Sequence, residues 1–214
     1  MTALLLSAQS KSAFLEGQYR EAAQLARHGY DLASPDSGRA LLACQEADAW
    51  QAQGDVTRAT AALARAHQAR DQITQADHLG GPFCCGPARE ANYTIAVHLS
   101  DNRPKQALLA AERAEQAWRD GEPQAYGTWA QVRIGSAIAH LIAGEVTGAA
   151  DSLGLVLDLP TDRRLATLAN RMSREVLPLL ESRPLRGVHS ALALANRIQE
   201  YCSASETTPQ LTAE

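Results

Sequence analysis

The stretch Gly17-Gln18-Tyr19-Arg20-Glu21-Ala22 contains the element that decides the fold of this chain. It starts with a turn glycine, and a small residue follows five positions later. The element returns at Gly54-Asp55-Val56-Thr57-Arg58-Ala59, at Gly144-Glu145-Val146-Thr147-Gly148-Ala149 and, more loosely, at Asn102-Arg103-Pro104-Lys105-Gln106-Ala107. A residue that tolerates positive φ ends one helix, and the small residue lets the next helix approach closely. The recurrence therefore predicts a series of helical hairpins.

The composition indicates the same fold class. The 214 residues include 41 alanines and 27 leucines, but only 7 valines, 6 isoleucines and 10 aromatic residues. Alanine and leucine favour helices, whereas β-branched and aromatic residues favour strands. We therefore expect an all-α protein and exclude a sandwich, a barrel or a parallel sheet.

Hydrophobic periodicity and helix-ending residues place ten helices along the chain. We expect Asp36-Ser37 and Thr161-Asp162 to provide helix N-caps. Residues 1–203 are predicted to form one repeat domain, followed by a disordered tail at 204–214 that lacks apolar periodicity. The predicted helices span residues 3–16, 18–33, 37–53, 55–74, 87–101, 104–119, 123–143, 145–158, 162–181 and 188–203.

The repeated element and the small helix-contact residues resemble the tetratricopeptide repeat. This resemblance implies a right-handed superhelical array of about five hairpins. A longer resemblance, over roughly residues 12 to 202, is to the C-terminal sensor region of actinobacterial XRE-family transcriptional regulators. It rests on the run Gly80-Gly81-Pro82-Phe83-Cys84-Cys85-Gly86-Pro87, on Ala107 to Trp118, on Leu155 to Pro160 with Arg163-Arg164, and on Arg197-Ile198.

In that family a helix-turn-helix DNA-binding domain precedes the repeats. Here a repeat hairpin is predicted within the first dozen residues, so we expect no room for such a domain. The resemblance then implies a sensor or oligomerisation part of a transcriptional regulatory system. The alternative is that the protein is a stand-alone repeat array that has lost DNA binding.

The charge pattern disfavours nucleic acid as a direct partner. The net charge is −4 at pH 7, so the surface as a whole has no positive field for a phosphate backbone. The segment 162–186 is locally cationic, which could dock on an acidic partner or on DNA phosphates; we favour a solvent-exposed capping helix at the end of an array. Its arginines are Arg163, Arg164, Arg171, Arg174, Arg183 and Arg186.

The N-terminal apolar run Ala3-Leu4-Leu5-Leu6 is too short for a signal peptide, and no apolar run could cross a membrane. The four cysteines are too few for a disulfide framework. We therefore expect a cytoplasmic protein without a membrane partner.

Adjacent thiols at Cys84 and Cys85 could form a vicinal disulfide, bind a soft metal or sense redox state. We favour simple packing, because cysteine is also a small apolar residue. His98 and His140 both stand four residues before a turn residue, which indicates packing at a repeat position. No motif indicates a catalytic residue, a metal site or a cofactor.

The first helices of the hairpins contain polar and aromatic residues suited to gripping a ligand. In tetratricopeptide arrays these helices line the concave groove, so the resemblance implies a binding site there. Arginine supplies bidentate contacts and aromatic rings supply anchors. The groove candidates are Gln45, Asp48, Gln51, Arg89, Asn92, Tyr93, Tyr126, Trp129, Gln131 and Arg133.

These residues predict a non-enzymatic module that binds a peptide, a small-molecule signal or a protein partner, with homodimerisation as a further expectation. A scaffold or adaptor without a small ligand is an alternative. An enzyme acting on a small substrate would need a nucleophile and base that the motifs do not indicate.

Overall fold

A computed structural model describes residues 2–73 and 81–206. Every regular element in these two ranges is helical, which confirms the predicted all-α class. None of the helices in them has the length and hydropathy that a membrane span requires. The chain divides into two compact units, Met1–Gln124 and Ala125–Glu214, and each unit is described by itself.

In the described part of the first unit, residues 2–73 and 81–124, six helices pack chiefly against their sequence neighbours. Its helix ends agree with the predicted ends within about three residues, the range expected for such assignments. In chain order the helices are α1 (Thr2–Leu15), α2 (Tyr19–Leu32), α3 (Ser37–Ala52), α4 (Val56–Asp71), α5 (Pro87–Ser100) and α6 (Pro104–Arg119), with a 3₁₀ turn at Gly81–Phe83 before α5. The predicted N-cap Asp36 is confirmed, since its carboxylate accepts a hydrogen bond from the Arg39 N–H at 3.1 Å.

The described part of the second unit, residues 125–206, begins with one hairpin, continues with several short elements and ends in a long helix. The hairpin is α7 (Tyr126–Ile142) and α8 (Val146–Leu157). A 3₁₀ turn (Thr161–Arg163), α9 (Ala166–Arg171), a π-helical turn (Met172–Val176), α10 (Leu177–Leu180) and α11 (His189–Glu206) follow. Because α11 extends to Glu206, residues 204–206 of the predicted tail are helical; residues 207–214 lie outside the described ranges.

The single helix predicted over 162–181 is wrong. Arg164 is extended, with φ −82° and ψ 109°, so Thr161 lies in a separate 3₁₀ turn and is not the N-cap of the next helix. Further along, Pro178 has no N–H and its ring disfavours a regular helix at residue 174. The π-helical turn accommodates the proline, and the Leu177 N–H donates to the Met172 carbonyl across it.

The four predicted turn residues all have positive φ: Gly17 77°, Gly54 83°, Asn102 51° and Gly144 81°. At each of them a Schellman pair of hydrogen bonds closes the helix, one bond donated by the turn residue and the other by the residue after it. At the last of these turns, the Gly144 N–H donates to the Leu141 carbonyl at 3.0 Å and the next N–H donates to the His140 carbonyl at 2.8 Å. The predicted hairpin turns are thereby confirmed.

The small residues of the repeated element lie where two helices meet. Ala22, Ala59, Ala107 and Ala149 are all fully buried. The two helices of each hairpin pack against each other: α1 with α2, α3 with α4, α5 with α6 and α7 with α8. The alanine surplus in the composition therefore reflects close helix contacts within each hairpin.

Helix α3 is the most enclosed element of the first unit, and it packs against α1, α2, α4 and α5. Twelve of its 16 residues are buried, including the polar residues Gln45 and Glu46. A buried polar group destabilises the fold unless it finds a hydrogen-bond partner. The partners of these residues define the polar interior described next.

Candidate functional site

Helix α5 presents three of the predicted groove residues on one partly exposed face. Asn92 and Tyr93 lie three and four positions after Arg89, the spacings that share one side of a helix. Burial raises the pKa of Tyr93; the Asp48 carboxylate raises this pKa further, and the Arg89 guanidinium lowers it. These influences place Asp48 of α3 within electrostatic range of the α5 residues, so the structure brings the two helices' candidates together.

Asn92 differs from its neighbours in one respect. Its Oδ1 atom is buried, and no hydrogen-bond donor among the described residues reaches it. Buried polar atoms without a partner are uncommon in folded proteins, and each destabilises the fold by about 1–3 kcal/mol. The described residues therefore leave this buried oxygen without a donor.

The other candidates on α3 have different surroundings. Gln45 is only 8% exposed, and its side-chain oxygen accepts a hydrogen bond from the Ser7 hydroxyl of α1 at 3.0 Å. That bond holds α1 against α3, so Gln45 contributes to packing. Gln51, near the end of α3, is partly exposed.

The second unit has an aromatic and cationic cluster on α7. The rings of Tyr126 and Trp129 lie 6.3 Å apart between centroids, and the Arg133 guanidinium lies 5.8 Å from the Trp129 ring. The Tyr126 hydroxyl donates to the Arg163 carbonyl. Burial raises the pKa of this hydroxyl. Three of the four predicted α7 residues are thus neighbours.

Gln131 is the fourth predicted α7 residue, and it faces a different partner. Arg171 of α9 donates to the Gln131 backbone carbonyl at 3.0 Å and also to its side-chain oxygen. The same arginine pairs with Glu175 at 3.2 Å. Gln131 therefore joins α7 to α9 and is engaged within the unit.

The buried carboxylate of Glu90 was not among the sequence candidates. Its side chain is 4% exposed, and both His67 and Arg70 of α4 pair with it. Burial raises its pKa, but the hydrogen bonds from His67 and Arg70 together with the Arg70 charge outweigh this, so the pKa lies below its ordinary value of 4.5. Glu90 lies four and seven positions before the buried Thr94 and Val97, and a charge within a buried stripe is the signal that could have identified it.

A second buried carboxylate, Glu46 of α3, is paired in the same way. It accepts hydrogen bonds from the Trp50 indole at 3.3 Å and from the Arg65 guanidinium at 2.7 Å. Arg58 in turn lies 4.6 Å from the Trp50 ring. These contacts stabilise the packing of α3 on α4 and leave no unpaired charge at Glu46.

Cys85, two residues after the Gly81–Phe83 turn, packs with a cysteine other than its sequence neighbour Cys84. Cys85 is fully buried in one apolar cluster with Cys44 of α3, and the two thiols share a hydrogen bond. This bond and burial raise the pKa of Cys44. Cys84 is partly exposed, and no disulfide joins any of the four cysteines, Cys202 included. The geometry supports the packing interpretation for Cys85.

Two arginines donate hydrogen bonds to the backbone carbonyls of the residues that follow the Gly81–Phe83 turn. Arg70 donates to the Cys85 carbonyl at 2.8 Å, and Arg89 donates to the Cys84 carbonyl at 2.7 Å. Arg89, a predicted groove residue, is therefore also part of the connection between α4 and α5. A ligand that binds Arg89 would contact the same connection.

The two histidines at repeat positions lie beside their turns. His140 pairs with the Glu145 carboxylate at 2.7 Å, and its ring covers Gly148, where an added Cβ would lie only 2.6 Å from the His140 Nδ1 atom. Burial, followed by the nearby Arg103 charge, lowers the pKa of His98. Both placements agree with the predicted packing role.

Part of the cationic segment is used within the second unit. The Arg164 guanidinium lies 4.6 Å from the Tyr201 ring of α11, and Arg171 bonds to α7 as described above. The remaining arginines, Arg163, Arg174, Arg183 and Arg186, are exposed. In the described ranges, no group of three or more His, Cys, Asp and Glu residues could hold a metal ion.

No protein-family model matches this chain, and no curated protein matches its sequence. The resemblance to tetratricopeptide repeats and to XRE-family sensor regions therefore stays a prediction from the motifs.

Proposed function

We propose that this protein is a non-enzymatic binding module that holds a peptide segment on α3 and α5 of the first unit. The observation that carries the proposal is the buried Asn92 oxygen without a donor. It lies on the helix face that Arg89 and Tyr93 share, with Asp48 nearby. A ligand that supplies the missing hydrogen bond recovers the free energy lost at this atom.

The chemistry of the cluster suits a peptide. An asparagine amide has one acceptor oxygen and two donor hydrogens, and a peptide backbone offers their complements. Arg89 supplies a planar guanidinium for a carboxylate or carbonyl, and Tyr93 supplies an aromatic surface with a hydroxyl. The Tyr126, Trp129 and Arg133 cluster of α7 offers the same residue types in the second unit.

The wider proposal follows the sequence resemblance. In it, about five tetratricopeptide-like hairpins form a right-handed superhelical array, and the protein is the sensor or oligomerisation part of a cytoplasmic regulatory system. Repeat arrays change curvature through small rotations between neighbouring hairpins, so an occupied groove could alter how a partner or a second copy binds. An adaptor that holds a protein partner without a small ligand is the second form of the proposal.

The test is selection from a phage-displayed library of random linear peptides on the immobilised full chain. Fluorescence polarisation then measures the affinity of a labelled selected peptide. Asn92→Ala should weaken binding by about 5-fold to 150-fold, the range that corresponds to about 1–3 kcal/mol. Thermal stability of this variant should not fall, because the Asn92 oxygen has no partner in the described chain.

Asn196→Ala is the matched control, since Asn196 lies on an exposed position of α11. It should leave the affinity unchanged. The proposal fails if no linear peptide is selected, or if the selected peptides bind the Asn92→Ala variant as tightly as the unmodified protein.

A further inference from the structure

The first unit contains a cavity that none of the predicted groove residues lines. Its volume is about 340 Å³, within the range that small-molecule sites in proteins occupy. It lies between α1, the connection from α2 to α3, and the first turns of α3. Its lining comprises Thr2, Ala3, Leu4, Ser7, Leu32, Ala33, Ser34, Asp36, Gly38, Leu41, Leu42 and Phe83.

Apolar and polar groups contribute about equally to the surface of this cavity. Leu41 and Leu42 are 1% exposed and form part of the core, while Leu32 is 53% exposed at the margin of the cavity. Phe83 closes it from the 3₁₀ turn that precedes α5. An apolar molecule in the cavity would remove the apolar part of this surface from water, at about 25 cal/mol for each Å².

Asp36 is the one charged residue among the described residues of the lining. One of its carboxylate oxygens accepts the Arg39 N–H and caps α3. The Arg39 side chain lies instead over the Tyr30 ring, at 4.6 Å. Within residues 2–73 and 81–206, Asp36 forms no ion pair with another side chain.

The helix ends at this place do not cancel that charge. The N-termini of α1 and α3 border the cavity at Thr2 and Gly38, and the C-terminus of α2 borders it at Leu32. Helix termini have partial charges of about +0.5 at the N-terminus and about −0.5 at the C-terminus, so these three ends leave about +0.5, which is less than the full negative charge of Asp36. The Asp36 carboxylate then sets the sign of the local potential, which favours a cation.

We propose that this cavity binds a small apolar molecule that has a protonated amine, with the ammonium group at Asp36 and the hydrocarbon part against Leu41, Leu42 and Phe83. An ammonium ion donates three hydrogen bonds and forms a charge-assisted bond with a carboxylate. A carboxylate-bearing molecule of the same shape would meet repulsion. The cavity thus discriminates by head group as well as by shape.

Three probes that share one hydrocarbon chain test this: hexylamine, hexan-1-ol and hexanoate. Titrations of the full chain, followed by backbone amide shifts in NMR spectra, should show saturable binding of hexylamine at the lining residues. Hexylamine should bind about fivefold more tightly than hexan-1-ol, as a partly exposed ion pair allows. Hexanoate should bind most weakly.

Asp36→Asn removes the negative charge and keeps the helix cap, because asparagine caps a helix as well as aspartate does. This variant should lower the hexylamine affinity to that of hexan-1-ol. Asp55→Asn is the matched control: Asp55 caps α4 by accepting the Arg58 N–H at 2.9 Å, and it does not line the cavity. It should leave all three affinities unchanged.

Ala33→Phe should fill the cavity and abolish binding of every probe. The proposal is overturned if hexanoate binds as tightly as hexylamine, if Asp36→Asn leaves hexylamine binding unchanged, or if no probe binds saturably. The first two comparisons need no variant that alters packing, so a misfolded protein cannot produce them.

Discussion

Whether replacing a glycine of the second unit by alanine raises or lowers the free energy of unfolding should depend on the backbone conformation at that glycine. Gly144 has φ +81° in the turn after α7, whereas Gly154 lies within α8. A Cβ atom added at either position would meet no atom within 4 Å. Crowding by other parts of the chain is thus excluded as a cause, and the backbone conformation decides the difference between the two positions.

Opposite effects on stability follow. An alanine forced into the left-handed region at Gly144 should destabilise the protein by about 1–2 kcal/mol. An alanine at Gly154 should stabilise it by about 1 kcal/mol, because it restricts the unfolded chain and favours the helix. The two variants should therefore differ by about 2–3 kcal/mol in the free energy of unfolding.

Urea denaturation followed by far-UV circular dichroism measures this difference. Hydrogen exchange of α7 and α8, read by mass spectrometry, shows that the change lies in the second unit. The reasoning is refuted if Gly144→Ala is as stable as the unmodified protein, or if both alanines shift stability in the same direction. The first result would mean that the turn does not require positive φ; the second would mean that backbone conformation does not decide the sign of the effect.

Three further predictions concern the buried groups of the first unit. Glu90→Gln should destabilise the protein by about 3–5 kcal/mol in urea denaturation, because it leaves the Arg70 guanidinium without its buried counter-charge; a loss below about 1 kcal/mol would contradict this. Since the folded-state pKa of Glu90 lies below its ordinary value of 4.5, its contribution to stability is present above that pH and is lost as the pH falls through the lower folded-state value. Denaturation curves at several pH values should show this loss, and Glu90→Gln should reduce it. Iodoacetamide should alkylate Cys84 in the native protein, while Cys44 and Cys85 react only after denaturation; rapid native labelling of either buried thiol would refute their placement.

The hairpin turns and most helix ends could be predicted because they depend on neighbouring residues. Positive φ at Gly54, a side-chain cap at Asp36 and the alanine five positions after a turn are local properties that a short stretch of sequence specifies. The helix predicted over 162–181 failed where two local signals competed. Pro178 and the apolar pattern around it could coexist only through a π-helical turn.

The candidate site was predicted in part. Counting along α5 predicts that Arg89, Asn92 and Tyr93 share one helix face, because helical spacing determines that face; that this face binds a ligand stays a prediction. Counting did not reveal that Gln45 and Gln131 have partners within the chain. Those partners, Ser7 and Arg171, lie about 40 residues away.

By itself the sequence determined an all-helical chain of hairpins with small residues at their contacts. Only the tertiary structure decided which polar groups are buried together: Glu90 with Arg70 and His67, and Cys85 with Cys44 in place of Cys84. The physical reason is that pairing and burial depend on distances between residues far apart in the chain, whereas propensity and capping act within a few residues. The open cavity beside Asp36 likewise exists only where three helices and a turn meet.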